Sequence, residues 1–422
     1  MINKLKKLSP QFKKILKVSS TVANSYGFKI YLVGGVVRDL LLEGGIFDLD
    51  IVVEGDAIKF AKELSRKLGA EFQKHHVFGT ATVCFDGYKI DFATARTEKY
   101  THWGALPKVK PATLTQDLLR RDFTINAMAI SLNKDDYGKL IDLFDGLGDL
   151  KKGLIRVLHP NSFLDDPTRI LRAIRFEQRF CFKIEKETSV LMKDALAESI
   201  FRRISPHRLR DEIVLILKEP KPYRYIKRIK EIVGFSFVDK RIRLNKERLK
   251  FFLKVERTAL RYQKKFKKHK TPQVWLIYLA GILIGLPRAR IRKVFGDFAF
   301  KKGERAIVLS IKEGIKEIKK LSKRKKPHII YRILEPYSYE SILFFYAYYS
   351  NKTLRSNIEY FLDKLVKVQL EVKGRDLKKL GFRPLVLYNK ILQKLLYVKL
   401  DNNLRGKREE IKQAKLIFKK LS

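Results

Sequence analysis

The hydrophobic pattern of this 422-residue chain changes part-way along, and the change limits the possible folds more than any other feature. Before residue 150, short apolar runs at 29–33 and 48–53 alternate with amphipathic stretches at 10–26 and 57–68. Apolar runs beside turn residues predict strands, whereas apolar residues spaced three to four apart predict helices. From Ser162 onward the pattern is helical. We therefore predict an α+β fold, in which a mixed α/β head precedes an all-helical remainder.

Positive charge is concentrated in the helical part. The chain has 91 Lys and Arg residues against 45 Asp and Glu residues, a formal net charge of +46. Residues 1–150 account for only +4 of this charge, and the rest of the chain accounts for +42. Such a chain would repel itself unless it works beside a polyanion, and nucleic acid is the first candidate. We expect the nearly neutral head to carry the chemistry and the basic remainder to hold phosphates.

The cysteines and the longest apolar stretch indicate the compartment. Cys84 and Cys181 are too few for a disulfide framework and lack the spacing of a zinc site. A reducing compartment, the cytoplasm, is therefore expected, with both cysteines in the core. The longest uncharged apolar stretch, residues 275–286, is shorter than the ~20 residues that span a bilayer, so no membrane association is predicted.

Two aspartates at alternate positions of the second predicted strand are candidate metal ligands. Asp48 and Asp50 are two residues apart, so their side chains are expected on the same face of that strand. Paired carboxylates suit Mg²⁺, which shares its remaining positions with water and phosphate. Asp91, on a hairpin predicted at 80–85 and 88–93, could complete a three-carboxylate site. Most Asp-x-Asp pairs are surface carboxylates, so the neighbouring motifs carry the argument.

A glycine pair lies just upstream, where a strand is expected to turn into a helix over residues 36–42. Gly34 and Gly35 can present backbone N–H groups to an anion, and Arg38 follows on the first helical turn. This arrangement predicts phosphate binding. The alternative is a plain turn in which Arg38 pairs with Asp39 or with another carboxylate.

A polar cluster at residues 120–126 precedes what the pattern predicts to be an apolar helix face. Arg121 offers a planar fork for a phosphate, and Asn126 and Thr124 could bond to a ribose. Asp122 lies within the same cluster and is a further candidate contact. The alternative is a capped helix start with an Arg–Asp pair.

A second polar cluster begins the helix predicted after residue 164. Arg169 and Arg172 are three residues apart and share one helix face. Asp166 as acceptor and Arg169 as donor could read the polar edge of a nucleobase, while Arg172 reaches a phosphate. The alternative is ordinary capping chemistry ahead of Pro167, with a solvated helix face.

The segment at residues 96–116 joins the predicted catalytic strands to the cluster at 120–126. Trp103, Gly104, Pro107 and Pro111 make it too irregular for a predicted helix or strand. We predict a mobile loop.

Together, these motifs resemble those of the class II tRNA nucleotidyltransferases and their poly(A) polymerase relatives. The resemblance rests, in chain order, on Gly34-Gly35-x-x-Arg38-Asp39, Asp48-x-Asp50, Arg120-Arg121-Asp122-Phe-Thr-Ile-Asn126-Ala, Asp145-Gly-x-x-Asp149-Leu and Asp165-Asp166-x-x-Arg169. It implies that Asp48 and Asp50 are catalytic and hold Mg²⁺, with Asp91 as the candidate third carboxylate. With the clusters above, it predicts a nucleotide site formed by Gly34, Gly35, Arg38, Arg121, Asp122, Asn126, Asp166, Arg169 and Arg172. In this family, Asp166 and Arg169 would replace a template by hydrogen-bonding the base of ATP or CTP.

The resemblance also implies a division of the chain and a function. The expected parts are a catalytic head at 1–150, a base-recognising neck at 151–230, and an RNA-binding body and tail at 231–350 and 351–422. The expected activity is Mg²⁺-dependent addition of the 3′-terminal CCA, or of its terminal A, to tRNA from CTP and ATP without a nucleic-acid template. The segment at 96–116 resembles that of members able to add A, which disfavours a CC-only product. A poly(A) polymerase and a non-catalytic RNA-binding protein remain as alternatives.

Overall fold

The structure is a computed structural model that describes residues 2–5, 7–45, 48–75, 79–266, 270–384 and 386–421. Its contacts divide the chain into two compact units, residues 1–213 and 214–422. The first unit is mixed α/β and the second is helical, so the predicted α+β class is confirmed. The predicted division into head, neck, body and tail stays a prediction. Every helix in the described residues is too short or too polar to cross a bilayer.

The first unit contains all the named strands of the described residues. The strands are β1 Lys29–Val33, β2 Asp48–Glu54, β3 Glu71–His75, β4 Thr80–Phe85, β5 Tyr88–Thr94, β6 Arg96–Lys99, β7 Lys108–Pro111, β8 Met128–Ser131, β9 Leu140–Asp142, β10 Leu154–Ile155 and β11 Lys183–Ile184. The helices that begin in this unit are α1 Ile2–Leu5, α2 Pro10–Tyr26, α3 Gly35–Leu41, α4 Ala57–Leu68, α5 Leu114–Leu119, α6 Gly146–Lys152, α7 Ser162–Asp165, α8 Thr168–Phe180, α9 Lys186–Ala197 and α10 Pro206–Lys218.

The main sheet places the candidate site near its centre. Within the described residues it has seven strands in the order β3-β4-β5-β2-β1-β8-β9. Strands β2 and β5 pair in parallel, and their neighbours pair antiparallel. Two smaller pairs, β6 with β7 and β10 with β11, lie outside this sheet. The two central strands β1 and β2 therefore each have a hydrogen-bonded strand on both sides.

Local signals explain why the flanking helices begin and end where they do. The Asp56 carboxylate accepts hydrogen bonds from the backbone N–H groups of Ile58 and Lys59 at 2.9 and 3.0 Å, which caps α4. Gly69, with φ of +64°, ends the same helix in the left-handed conformation that glycine adopts without strain. The apolar residues of α4 recur on one buried face, and the helix contacts β4 and β5.

Helix α5 packs on the sheet face that also carries the candidate metal ligands. Leu114 and Leu118 of α5 lie in one buried cluster with Tyr31 and Val52 of the central strands. Since side chains alternate along a strand, Asp50 leaves β2 on the same face as Val52. This face therefore has an apolar part under α5 and a polar part beyond it.

The second unit is helical throughout its described elements. The helices are α11 Pro222–Ile232, α12 Lys246–Lys265, α13 Val274–Leu283, α14 Arg288–Asp297, α15 Lys302–Ile318, α16 Pro327–Leu334, α17 Tyr339–Tyr348, α18 Lys352–Asp363, α19 Gly374–Lys379, α20 Leu387–Asn402 and α21 Gly406–Lys419. The central helix α13 is buried almost throughout and contacts α12, α15 and α17. A separate cluster, which includes Leu377, Ile391 and Ala414, joins α19, α20 and α21.

Three sequence predictions are wrong. Residues 96–116 are irregular only in part: residues 100–107 lie in no helix or strand, but β6 and β7 form an antiparallel hairpin and α5 begins at Leu114. Pro111 ends β7, which pairs with a strand on one side only, so its missing N–H costs no sheet hydrogen bond. Residues 128–131 form a strand rather than a helix, since so short a buried apolar run has no distinguishing period. Cys84 and Cys181 are exposed rather than in the core.

Candidate active site

Two of the three predicted catalytic aspartates lie side by side. Asp50 on β2 and Asp91 on β5 are direct partners in the parallel register, so their side chains leave the sheet on the same face. The Asp91 carboxylate accepts a hydrogen bond from the Thr82 hydroxyl at 2.6 Å and pairs with Lys89 at 2.5 Å. Asp48 begins β2, and its side chain lies outside the described part of the structure. Among the described side chains, no group of three His, Cys, Asp or Glu residues forms a metal site.

The glycine turn lies at the same edge of the sheet as the start of β2. Strands β1 and β2 pair antiparallel with Leu32 opposite Ile51, so the turn after β1 is beside the residues that begin β2. Gly34 has φ of +73°, and a Cβ added there would lie 2.8 Å from Nη1 of Arg121. A Cβ on Gly35 would lie 3.4 Å from Nη2 of Arg38. The turn is thus in contact with two arginines that were predicted to bind the nucleotide.

Arg38 is buried in the first unit with polar and aromatic partners. Its guanidinium donates to Asp39 at 2.9 Å and to Asn126 at 2.5 Å. It also lies over the rings of Phe180 and Phe176, at 4.6 and 5.3 Å from their centroids. Burial lowers the pKa of the Arg38 guanidinium, against the opposing effect of Asp39. The pairing of Arg38 with Asp39, which the sequence left as an alternative, is therefore present.

A chain of hydrogen bonds continues from Asn126 to helix α8. Asn126 donates to Asp122 at 2.9 Å, and Arg172 donates to the other oxygen of Asp122 at 2.9 and 2.6 Å. Arg172 also donates to Glu212 of α10 at 3.2 Å. Burial would raise the pKa of Asp122, but Arg172 and the Asn126 amide lower it to about 2. The predicted residues Arg38, Asn126, Asp122 and Arg172 are thus brought into one network.

The sequence analysis missed the carboxylate that holds Arg121. Asp117 of α5 is fully buried and accepts hydrogen bonds from Arg120 at 3.0 and 2.6 Å and from Arg121 at 2.9 Å. Burial would raise the pKa of Asp117, but Arg121 and Arg120 hold it below its ordinary value. The spacing of an acid three and four residues before two arginines is the signal that could have identified it. Glu212 has no such signal, because its partner Arg172 is distant in sequence.

The predicted base-reading pair lies at the junction of α7 and α8. Oδ1 of Asp166 accepts from the backbone N–H and the hydroxyl of Thr168 at 3.0 and 2.6 Å. Arg169 is buried and donates to the Ser162 hydroxyl at 2.6 Å and to the Arg120 carbonyl oxygen at 2.6 Å. The Arg169 guanidinium is therefore held between α7 and the end of α5.

A cavity of about 290 Å³ opens beside Arg169. It is lined by Thr97, Glu98, Tyr100, Gln116, Leu119, Arg120, His159, Asp165 and Arg169. The Tyr100 hydroxyl donates to Glu98 at 2.8 Å, and burial raises the pKa of that tyrosine. Burial also lowers the pKa of His159 and raises that of Asp165. A polar, half-buried cavity is thus available next to a predicted base-reading residue.

Comparisons with known sequences identify the family. Residues 30–156 match the family described as "Poly A polymerase head domain", and residues 181–232 match "Probable RNA and SrmB- binding site of polymerase A". The chain is 30% identical over 414 residues to the A-adding tRNA nucleotidyltransferase of Halalkalibacterium halodurans, covering 96% of this chain and 92% of the relative. The chain belongs to the tRNA nucleotidyltransferase family.

Other members of the tRNA nucleotidyltransferase family differ in length. The A-adding tRNA nucleotidyltransferase of Aquifex aeolicus is 39% identical over 364 residues, which cover 84% of this chain but only 43% of that relative. The chain therefore spans less than half the length of that relative. The solved structure of the Thermotoga maritima CCA-adding enzyme complexed with tRNA superposes with a TM-score of 0.78 at 32% identity, covering 98% of each chain. The predicted fold is thus that of a known family member along nearly the whole chain.

Proposed function

We propose that this protein is a nucleotidyltransferase that adds the 3′-terminal CCA, or its terminal A, to tRNA from CTP and ATP. One hydrogen-bonded network carries the proposal. It begins at Arg38, which follows the glycine turn, and reaches Arg172 of α8 through Asn126 and Asp122. It connects the expected phosphate end of a nucleotide site to α8, at whose start the expected base-reading pair lies. The A-adding relative from H. halodurans matches along almost the whole chain and supports the same activity.

The candidate carboxylates fit a magnesium ion. Asp50 and Asp91 offer oxygen ligands at matched positions of adjacent strands, and oxygen is the ligand type that Mg²⁺ prefers. Asp48 completes the proposed ligand set from its position two residues before Asp50. When bound, Mg²⁺ would activate the terminal RNA hydroxyl and neutralise charge on the departing pyrophosphate.

The protein's own cations are arranged to bind a triphosphate. Arg121 and Arg38 approach the two glycines of the turn so closely that the turn has little room for a side chain. Backbone N–H groups and planar guanidinium groups both donate hydrogen bonds to phosphate oxygens. Both arginines already have acidic partners, Asp117 and Asp39, so a nucleotide would share or replace these contacts. The pairs keep the guanidinium groups oriented before the nucleotide arrives.

Base selection follows from the chemistry of Asp166 and Arg169. An ionised carboxylate only accepts hydrogen bonds, and a guanidinium only donates them. Cytosine and adenine both offer an exocyclic amine as donor, whereas uracil and guanine offer a carbonyl at the equivalent place. A carboxylate–guanidinium pair therefore favours CTP and ATP over UTP and GTP. This supports both nucleotides as substrates and makes a nucleic-acid template unnecessary.

The RNA partner is supported by charge. Residues after 150 carry a net charge of +42, which suits a surface that contacts many phosphates. A tRNA substrate also accords with a cytoplasmic location, as does the low cysteine content. RNA affinity should fall steeply as salt rises, since phosphate contacts release counterions.

Incorporation assays test the proposal and separate it from its alternatives. tRNA transcripts that end before the CCA, after one C and after two Cs would be offered CTP and ATP, separately and together, with and without Mg²⁺. We expect Mg²⁺-dependent growth to a 3′-terminal A and no further. Long A tails on unrelated RNA would favour a poly(A) polymerase, and RNA binding without any incorporation would favour a non-catalytic protein.

Substitution of Asp48 and Asp50 tests the proposed metal site. Replacing Asp48 and Asp50 together with Ala should abolish pyrophosphate release and leave tRNA binding largely intact. Asp194→Ala, which removes an exposed carboxylate on α9, is the control and should retain activity. Undiminished activity of the double variant would refute the proposed site.

A further inference from the structure

The carboxylate of Asp166 is held by a residue that the sequence analysis did not single out. Nη2 of Arg208, in the first turn of α10, lies 2.9 Å from Oδ1 of Asp166. Their side chains are only 19% and 20% exposed. The same Oδ1 accepts the two hydrogen bonds from Thr168. In the described part of the chain the ion pair and both hydrogen bonds meet at Oδ1, which leaves Oδ2 as the acceptor for a base.

The guanidinium of Arg208 is itself fixed by a second acceptor. Its Nη1 donates to the carbonyl oxygen of Gly104 at 3.2 Å. Gly104 cannot readily move, because its N–H donates to the Leu164 carbonyl at 3.1 Å. It also cannot carry a side chain, since its φ is +76° and an added Cβ would lie 2.8 Å from the Arg203 carbonyl oxygen. The two acceptors, Oδ1 of Asp166 and the Gly104 carbonyl, therefore define the plane of the Arg208 fork.

We propose that Arg208 is a positioning residue for base selection, which holds Asp166 in the rotation that presents Oδ2 to the exocyclic amine of adenine or cytosine. The inference rests on the proposed function, because it concerns base recognition at the same site. Arg208 acts through Asp166 and does not contact the nucleotide itself. Two hydrogen bonds and one ion pair on the same carboxylate oxygen oppose rotation about the Cβ–Cγ bond, and loss of Arg208 removes the ion pair.

Rotation of Asp166 has a specific consequence for selectivity. In the fixed orientation, Oδ2 faces an amine donor of adenine or cytosine and would repel the carbonyl oxygen of uracil or guanine. Without Arg208, the carboxylate can turn away and no longer opposes those carbonyl groups. Loss of Arg208 should therefore weaken correct selection more than it weakens phosphate binding or chemistry.

Steady-state kinetics with the full chain test this inference. Arg208→Ala, Arg208→Lys and wild type would be compared with ATP, CTP, UTP and GTP on tRNA transcripts ending after two Cs and before the CCA. For Arg208→Ala we expect the ratio of kcat/KM for ATP over UTP to fall by about tenfold or more, as for loss of one base-reading hydrogen-bond pair. The loss should appear mainly in KM for the correct nucleotide. Arg208→Lys should restore part of the ratio, because its ammonium can still reach Asp166.

A matched control and a stability measurement separate positioning from folding. Arg210→Ala removes a cation two residues farther along α10, where it pairs with Asp211, and should leave the ATP/UTP ratio unchanged. Thermal unfolding shows whether Arg208→Ala is folded. If it is not folded, the ATP/UTP ratio of kcat/KM measured for Arg208→Lys tests the inference instead. An unchanged ratio in a folded Arg208 variant, or an equal fall in Arg210→Ala, overturns the inference. Failure of wild type to incorporate any nucleotide would refute the proposed function instead.

Discussion

Substitution of Gly34 by alanine isolates the role of the glycine turn. Gly34 has φ of +73° and ψ of −134°, a backbone region that is nearly exclusive to glycine. The added Cβ would also lie 2.8 Å from Nη1 of Arg121, so the guanidinium would have to move. We expect the backbone strain alone to lower the free energy of unfolding by about 1–3 kcal/mol. The displaced Arg121 should raise KM for the nucleotide.

Gly69→Ala is the matched control for backbone strain. Gly69 also has a positive φ, +64°, but an added Cβ there would meet no atom within 4 Å. The cost should be about 1 kcal/mol, since only the left-handed backbone is penalised. Gly69 ends α4, away from the candidate site, so nucleotide kinetics should not change.

Urea unfolding and incorporation kinetics measure the two effects separately. Both variants should unfold at lower urea concentration than wild type, with Gly34→Ala the less stable of the two. Only Gly34→Ala should show a raised KM for ATP. If Gly34→Ala costs no more stability than Gly69→Ala and its KM is unchanged, the turn does not position Arg121 as the structure indicates.

Two further predictions concern buried carboxylates of the same site. Asp117→Asn leaves Arg121 without its buried charged partner and Arg120 with Glu98 alone, so it should lower the free energy of unfolding by about 3–5 kcal/mol, measured in urea. Glu63→Gln, which breaks the exposed Glu63–Arg66 pair, should leave that free energy nearly unchanged; equal losses would contradict the argument. The pKa of Asp122 is lowered from 3.8 to about 2 in the folded protein, so its ionised form contributes roughly 2 kcal/mol of stability above pH 4. That contribution should be lost as the pH falls through 2, and the stability difference between wild type and Asp122→Asn should shrink over the same window; a constant difference would contradict it.

The elements with local start and stop signals were predictable from the sequence. Helix α2 was predicted at 10–26 and α4 at 57–68, because a proline or an aspartate marks the start and a glycine follows the end. The hairpin of β6 and β7 was not, because Val109 and Pro111 are its only nonpolar strand residues, too few to show a period. Strand β8 was missed for a different reason, since all four of its residues are buried and show no alternation of buried and exposed positions.

The residues of the candidate site could be predicted from the sequence, but the contacts between them could not. The adjacency of Asp50 and Asp91 depends on the parallel pairing of β2 with β5, which no local pattern encodes. Glu212 and Arg208 could not be identified, because each one's importance comes from a partner about 40 residues away, Arg172 or Asp166. Short-range motifs therefore located the candidate nucleotide-binding residues, and the tertiary structure was needed to find the residues that orient them.

The way charges are paired explains why one chain has a nearly neutral head and a strongly basic remainder. The arginines at the candidate nucleotide site, Arg38, Arg121 and Arg172, each lie against a carboxylate of the same unit. Each of these three arginines is therefore matched by an acid and adds no net charge, whereas Arg169 donates to neutral acceptors. Under the proposed function, contacts to RNA phosphates would be made at the surface, where lysines remain hydrated and need no acidic partner. Selecting one nucleotide would then use paired, oriented charge, whereas holding a long polyanion would use excess charge, and the net charges of +4 and +42 in the two parts fit that difference.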